Sequence, residues 1–229
     1  MIRPRVIANF ALSADGKVST RKYVPTGFTG PTDKRRLQEI RALGDALLAG
    51  AATVRTDHMS MRLPDPALQQ ARLARGQTPE PLRVMVTNHG TLNRRGKVFS
   101  SDGAPLVIFS TGLMPEAMRT WLSRRADLWL FAGQTVSLAA MLAILREDYG
   151  IRTLVCEGGP TLFRALLEIG AVDELYLTWA PIVFGGAEAP TLTGPPGGFL
   201  PETVTAKLLK MDVAEDECFL HYRIRAGKA

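Results

Sequence analysis

The chain has 229 residues, 46% hydrophobic and 22% charged, enough apolar mass for a full α/β core and too much for disorder. Lys and Arg number 28 against 22 Asp and Glu, a formal +6 with an isoelectric point near 9.6, which favours anionic partners. The basic residues are scattered as pairs (Arg35-Arg36, Arg94-Arg95, Arg124-Arg125) without a long basic run or interleaved aromatics, so they read as solvated charge that also suits phosphorylated small molecules, and no nucleic-acid partner is expected.

Val6–Leu12 is apolar apart from Asn9 and reads as a buried first strand, ended by the turn residues Ser13-Ala14-Asp15-Gly16. A loop runs to Gly30. Thr32 or Asp33 then caps a helix whose inner face is Leu37, Ile40, Ala42 and Leu43, and Gly44 stops it. Asp45–Ala49 is a short strand, and Gly50-Ala51-Ala52-Thr53-Val54 turns into a brief helix. Residues 60–81 hold five Pro or Gly among charged positions and read as an excursion loop. Strands follow at Leu82–Val86, Leu106–Phe109, Leu128–Phe131 and Thr153–Cys156, with helices at Pro115–Arg125, Leu138–Tyr149 and Thr161–Ile169. Leu175–Val183 and two segments between Ala206 and Arg225 read as consecutive strands. Alternation first and strands last predict one α/β domain over residues 1–229: a mainly parallel sheet with helices on both faces and an antiparallel C-terminal edge.

No apolar window is long enough to span a membrane, and the start, Met1-Ile2-Arg3-Pro4-Arg5, lacks a secretory apolar stretch. Cys156 and Cys218 fit free thiols in a reducing compartment, and a cytoplasmic location is expected. His58, His89 and His221 lie in no metal-binding pattern, so no metal is expected.

Leu154-Val155-Cys156-Glu157-Gly158-Gly159-Pro160-Thr161 carries the strongest chemical signal. An apolar strand runs into two glycines and a helix start, where glycine permits close backbone approach and free N–H groups attract phosphate. Pro160 suits the first helical position. A tight strand-to-helix turn without a ligand explains the same residues, and G-x-G-x-x-G is absent. Glu157, at the strand's carboxyl end, either faces a non-phosphate part of a ligand or caps the next helix. Thr53 and Asp57, four apart, share a helical face. They either hold polar ligand groups or form a local cap.

Four stretches together carry a resemblance: Asn9–Lys17, Gly50–Asp57, Glu157–Leu162, and Gly170–Leu177 followed by Ala180–Gly186. In this order the chain resembles the reductase domain of the bifunctional riboflavin-biosynthesis deaminase/reductase and its stand-alone homologues, without the deaminase half. The resemblance implies a dihydrofolate-reductase-like fold, a homodimer, and NADPH-dependent reduction of a ribosylamino-pyrimidine 5′-phosphate to its ribitylamino form. It implies that Ala11, Thr53, Asp57, Asn88 and the turn Gly158-Gly159-Pro160-Thr161 lie beside NADPH, that Arg41 and Glu157 lie beside the substrate, and that Asp57 orients or relays a proton at the reacting centre. The sequence departs from the family pattern at His58 and Met59, where an Asp and a Pro are usual, around Met61-Arg62-Leu63, where Leu-Thr-x-Arg is usual, and at Pro25 and Gly27. These departures keep open a same-fold reductase acting on a pteridine or another imine or carbonyl compound. A non-catalytic nucleotide-binding module is the further alternative.

Overall fold

The computed structural model describes residues 2–19, 27–100, 103–194 and 197–225; Pro25 lies outside them. In chain order the elements are β1 (Arg5–Ser13), α1 (Pro31–Leu43), β2 (Ala46–Gly50), α2 (Ala51–Thr56), α3 (Pro66–Ala74), β3 (Leu82–Val86), β4 (Leu106–Thr111), α4 (Glu116–Leu122), β5 (Asp127–Phe131), α5 (Leu138–Glu147), β6 (Thr153–Cys156), α6 (Pro160–Glu168), β7 (Glu174–Ala180), β8 (Thr205–Ala214) and β9 (Glu217–Arg225). The chain forms two compact units, one of Met1–Pro4 with Gln38–Val155, the other of Arg5–Leu37 with Cys156–Ala229.

In the first unit the strand order is β5-β4-β3-β2-β6. The pairings β2–β3, β3–β4 and β4–β5 are all parallel. Ala46–Ala49 and all of β4 are buried, which is why these strands read as continuous apolar runs rather than alternating ones. Asp45 aligns the strand starts. Its N–H donates to the Thr153 carbonyl (2.8 Å), its carbonyl accepts from the Leu82 N–H (2.9 Å), and its carboxylate accepts from the N–H groups of Arg152 and Thr153 (both 2.9 Å). Partial burial works to raise this carboxyl, but hydrogen bonds from Gln77, Thr153 and Arg152 outweigh it and hold the pKa below the usual value.

The second unit has the order β1-β7-β9-β8. β1 pairs with β7 in parallel, from Ile7 opposite Glu174 to Ser13 opposite Ala180, and β9 pairs antiparallel with both β7 and β8. Phe163 of α6 packs on Phe10 of β1, ring centroids 4.9 Å apart. The first turns of α1 are held by a 2.6 Å hydrogen bond from the Thr178 hydroxyl to Asp33 and by the Arg36 guanidinium over the Phe219 ring. Parallel strands first and an antiparallel C-terminal edge are as the sequence predicts.

Several local expectations are corrected. Residues 60–81 are not all loop, because α3 forms there, capped by Asp65, which accepts from the N–H groups of Ala67 and Leu68. α1 begins at Pro31, so Thr32 and Asp33 lie inside its first turn. Leu43 does not face inward: it is 43% exposed, while Arg41 is buried. α4 spans Glu116–Leu122 rather than Pro115–Arg125, and β7 ends at Ala180 rather than Val183. Among the described residues no helix is long and apolar enough to cross a membrane, and no cluster of metal-ligating side chains occurs.

Candidate active site

The first unit's chain steps outward from β2 through β3 and β4 to β5, then returns to β6 on the other side of β2. Asp45 ties the starts of β2 and β6 together, so both strands point the same way and the order reverses beyond their carboxyl ends. Ligands of open α/β sheets collect at such a reversal. α2 follows β2 there; Glu157-Gly158-Gly159 belongs to the second unit.

Gly158 takes φ +102°, and a Cβ built on it would lie 3.2 Å from Cε1 of Phe10. The sequence therefore places glycine where the backbone both enters left-handed space and passes close to an aromatic ring. The Gly158-Gly159 peptide is cis. Gly159 is the N-cap of α6 in extended conformation, with no side chain capping the helix, and Pro160 is its first residue. Thr161 and Leu162 thus present the first backbone N–H groups, which have no acceptor inside the helix. Thr161 is exposed and Glu157 half-buried. Ala11 follows Phe10 on β1, opposite Thr178 of β7. The Cys156 thiol is pushed up to about 12 by burial, which removes it as a nucleophile.

In the first unit, Thr53 and Asp57 are joined through the backbone: Asp57 closes α2 and donates its N–H to the Thr53 carbonyl (2.9 Å). Surrounding protein raises the Asp57 carboxyl above its usual value, more than His58 lowers it, although the side chain keeps access to solvent. Asn88 binds the ends of neighbouring strands together: its side-chain oxygen accepts from the Val136 N–H (3.0 Å) and its carbonyl from the Thr111 hydroxyl (2.7 Å). Arg41, in the last turn of α1, donates from Nη1 to the Arg62 carbonyl (2.7 Å).

Other functional-looking groups escape sequence reasoning because their partners are distant in sequence. Asp15 accepts from the Ser13 hydroxyl (2.6 Å) and from the N–H groups of Phe184 (3.1 Å) and Gly185 (2.8 Å), which together bring its pKa down to about 2. It ties the first-strand turn to the Phe184-Gly185 segment. Arg72 is wholly buried and donates to the carbonyls of Thr78, Ala42 and Gly44. Arg62 and Glu80 form a two-pronged ion pair. No motif marks Arg72 or Glu80, and the motifs that contain Asp15 and Arg62 do not reveal their partners. Only an arginine amid apolar or turn residues hints at burial.

Residues 4–215 match the model of the RibD C-terminal domain. The chain belongs to the RibD C-terminal domain family. It is similar to the 2,5-diamino-6-ribosylamino-4(3H)-pyrimidinone 5′-phosphate reductase of Archaeoglobus fulgidus, with 31% identity over 83% of this chain and 86% of that one. The solved pyrimidine reductase-like protein of Corynebacterium diphtheriae shares the fold at a TM-score of 0.85 and 21% identity, covering 98% of this chain and 93% of that one. The dihydrofolate reductase of Enterococcus faecalis complexed with NADP(H) aligns at a TM-score of 0.50 and 15% identity, covering 97% of each chain. A RibD C-terminal domain with this strand order is dihydrofolate-reductase-like in fold.

Proposed function

We propose that the chain is an NADPH-dependent reductase that converts 2,5-diamino-6-ribosylamino-4(3H)-pyrimidinone 5′-phosphate, or a close relative, to its ribitylamino form in riboflavin biosynthesis. The observation that carries this reading is the uncapped N-terminus of α6, opened by Gly158 and Gly159, in a chain of the RibD C-terminal domain family. The residues present suit an anionic dinucleotide: no side chain caps α6, and the Thr161 and Leu162 N–H groups have no acceptor inside the helix, where phosphate oxygens would supply one.

When bound, the nicotinamide supplies hydride to C1′ of the opened ribose imine, and the imine nitrogen gains a proton to become the amine. In this reading Gly158, Gly159, Pro160 and Thr161 receive the cofactor phosphates, and Ala11, Thr53 and Asn88 line its path. Asp57 holds or relays the proton, and the protein around it raises its carboxyl above the usual value, the direction that favours a proton-holding form. Arg41 and Glu157 face the substrate, Arg41 through a planar fork suited to phosphate or carbonyl oxygen. The same-fold alternative, another imine or carbonyl substrate, draws support from Arg62, whose guanidinium is taken up by Glu80 in the segment that departs from the family pattern.

The proposal extends to a cytoplasmic homodimer. Trp179, Cys218 and Val213 lie in one cross-strand row, with Leu177, Leu220 and Met211 in the next. Trp179, Met211 and Val213 are 46%, 59% and 69% exposed; the last two lie on β8, the edge strand, and an apolar edge of this kind needs cover. A monomer by light scattering at micromolar concentration contradicts the dimer. The activity itself is tested by following NADPH oxidation with the ribosylamino-pyrimidine phosphate and with a dihydropteridine. Turnover of the first alone is expected, and turnover of the second alone overturns the substrate assignment.

A further inference from the structure

The segment joining Asp57 to Leu63 has a costly backbone. His58 takes φ +49° and Met61 φ +55°, both left-handed and neither glycine. Such conformations persist only where surrounding contacts impose them. At Met61 the contacts lie on the two residues that follow it. Arg41 Nη1 donates to the Arg62 carbonyl (2.7 Å), and Gln69 Nε2 donates to the Leu63 carbonyl (2.8 Å). Glu80 accepts from Arg62 Nε (2.6 and 2.9 Å) and Nη2 (2.6 Å), and more weakly from the Leu63 N–H (3.4 Å). Met61 and Leu63 are buried, which seals the segment from below.

Glu80 is the centre of this clasp. Its carboxylate engages both the side chain of Arg62 and the next backbone amide, so it fixes the plane of the peptide whose carbonyl receives Arg41. Its own backbone is set in turn: the Thr78 hydroxyl donates to the Glu80 carbonyl (2.7 Å). Gly103 makes room for the pair, since a Cβ there would lie 2.6 Å from Cδ of Arg62. The Glu80 side chain is 11% exposed, so the two-pronged bond is shielded from water and is of the strong, charge-assisted kind.

We propose that Glu80 is a positioning residue for substrate binding, acting through Arg62 to hold the Arg62 carbonyl that orients Arg41. The inference rests on the reading of Arg41 as substrate-facing. A misplacement of an orienting group by about an ångström is enough to lower turnover about a hundredfold without touching the chemistry, so the clasp matters although Glu80 meets no substrate.

The test compares wild type, Glu80→Gln, Arg41→Lys and the double variant for kcat, KM, NADPH affinity and amide hydrogen exchange. Glu80→Gln is expected to raise KM for the ribosylamino-pyrimidine phosphate at least tenfold while NADPH affinity stays within about twofold. Because Glu80 acts through Arg41, the double variant is expected to be no worse than Arg41→Lys within about twofold. An unchanged KM in Glu80→Gln, or effects that multiply in the double variant, overturns the proposal. If the wild-type enzyme does not turn this substrate over, the functional reading falls, and hydrogen exchange decides the clasp: the Met59 amide, which Glu80 does not touch, must exchange at least tenfold faster in Glu80→Gln. Acceleration confined to Leu63 overturns it. Should Glu80→Gln not accumulate folded, Arg62→Lys keeps the charge and loses the fork, and the same rise in KM is expected.

Discussion

Gly158→Ala puts the candidate phosphate turn under a defined load. The residue sits at φ +102°, where an L side chain costs roughly 1–2 kcal/mol. The new methyl would lie 3.2 Å from Cε1 and 3.5 Å from Cζ of Phe10, tighter than ordinary contact. Phe10 has little room to yield, because it is only 9% exposed and packs on Phe163. Overpacking of this kind adds about 1–2 kcal/mol. The sum, about 2–4 kcal/mol, lowers the apo melting temperature by roughly 4–16 °C in a chain of this size. Displacing the turn also moves the Thr161 and Leu162 amides, so NADPH Kd is expected to rise at least tenfold in a fluorescence titration. Gly159→Val is the companion variant. Gly159 has φ −81° and ψ −179°, a conformation any residue adopts, so apo stability should change little while the branched side chain blocks approach to the backbone. Wild-type NADPH affinity in both variants refutes the turn as the phosphate site. An unchanged melting temperature in Gly158→Ala refutes the packing argument.

Other perturbations separate chemistry from scaffold. The fold raises Asp57, so it disfavours the ionised form above the folded pKa, and that penalty fades as pH falls through it. Asp57→Asn is therefore expected to keep or raise the neutral-pH melting temperature while kcat falls about a hundredfold. A stability loss with normal kcat contradicts this. Asp45 is depressed and contributes stability above its unfolded value near 3.8, lost as pH falls through the lower folded value. Asp45→Ala should cost about 2–4 kcal/mol at pH 7 by urea denaturation, with the gap to wild type closing in acid; a pH-independent gap contradicts the charge argument. Arg72→Met removes the donor to the Thr78, Ala42 and Gly44 carbonyls, of which Ala42 keeps Arg75, and should cost about 3 kcal/mol or more. Arg41→Lys should lower kcat/KM at least tenfold, with NADPH affinity within about twofold, and a kinetically silent variant marks Arg41 as structural.

The parallel strands were the most legible part of the chain. Leu82–Val86 and Thr153–Cys156 are strands to the residue, because each is a short apolar run closed by turn residues. α3 was hidden for the opposite reason. Its fully buried side chain is Arg72, not an apolar stripe, so helical periodicity gives no signal. Asp65-Pro66, a capping carboxylate followed by proline at the first helical position, is the signal that would have found it. The end of α1 misleads in the same way: Arg72 and Arg75 reach the Ala42 carbonyl, so polar capping rather than packing decides that Arg41 is buried and Leu43 exposed. At the candidate site, the Gly158-Gly159 turn was readable because glycine there has a steric reason. The Arg62–Glu80 clasp was not, because nothing local pairs two residues 18 positions apart across a helix.

The most direct test of the reductase reading is hydride tracing with NADPH deuterated on the transferred face of the nicotinamide. The purified protein is incubated with 2,5-diamino-6-ribosylamino-4(3H)-pyrimidinone 5′-phosphate, and the product is examined by mass spectrometry and proton NMR. A ribitylamino product carrying one deuterium, located at C1′, is expected. NADPH oxidation without deuterium at C1′, or recovery of unreduced substrate under conditions where NADPH binds, contradicts it.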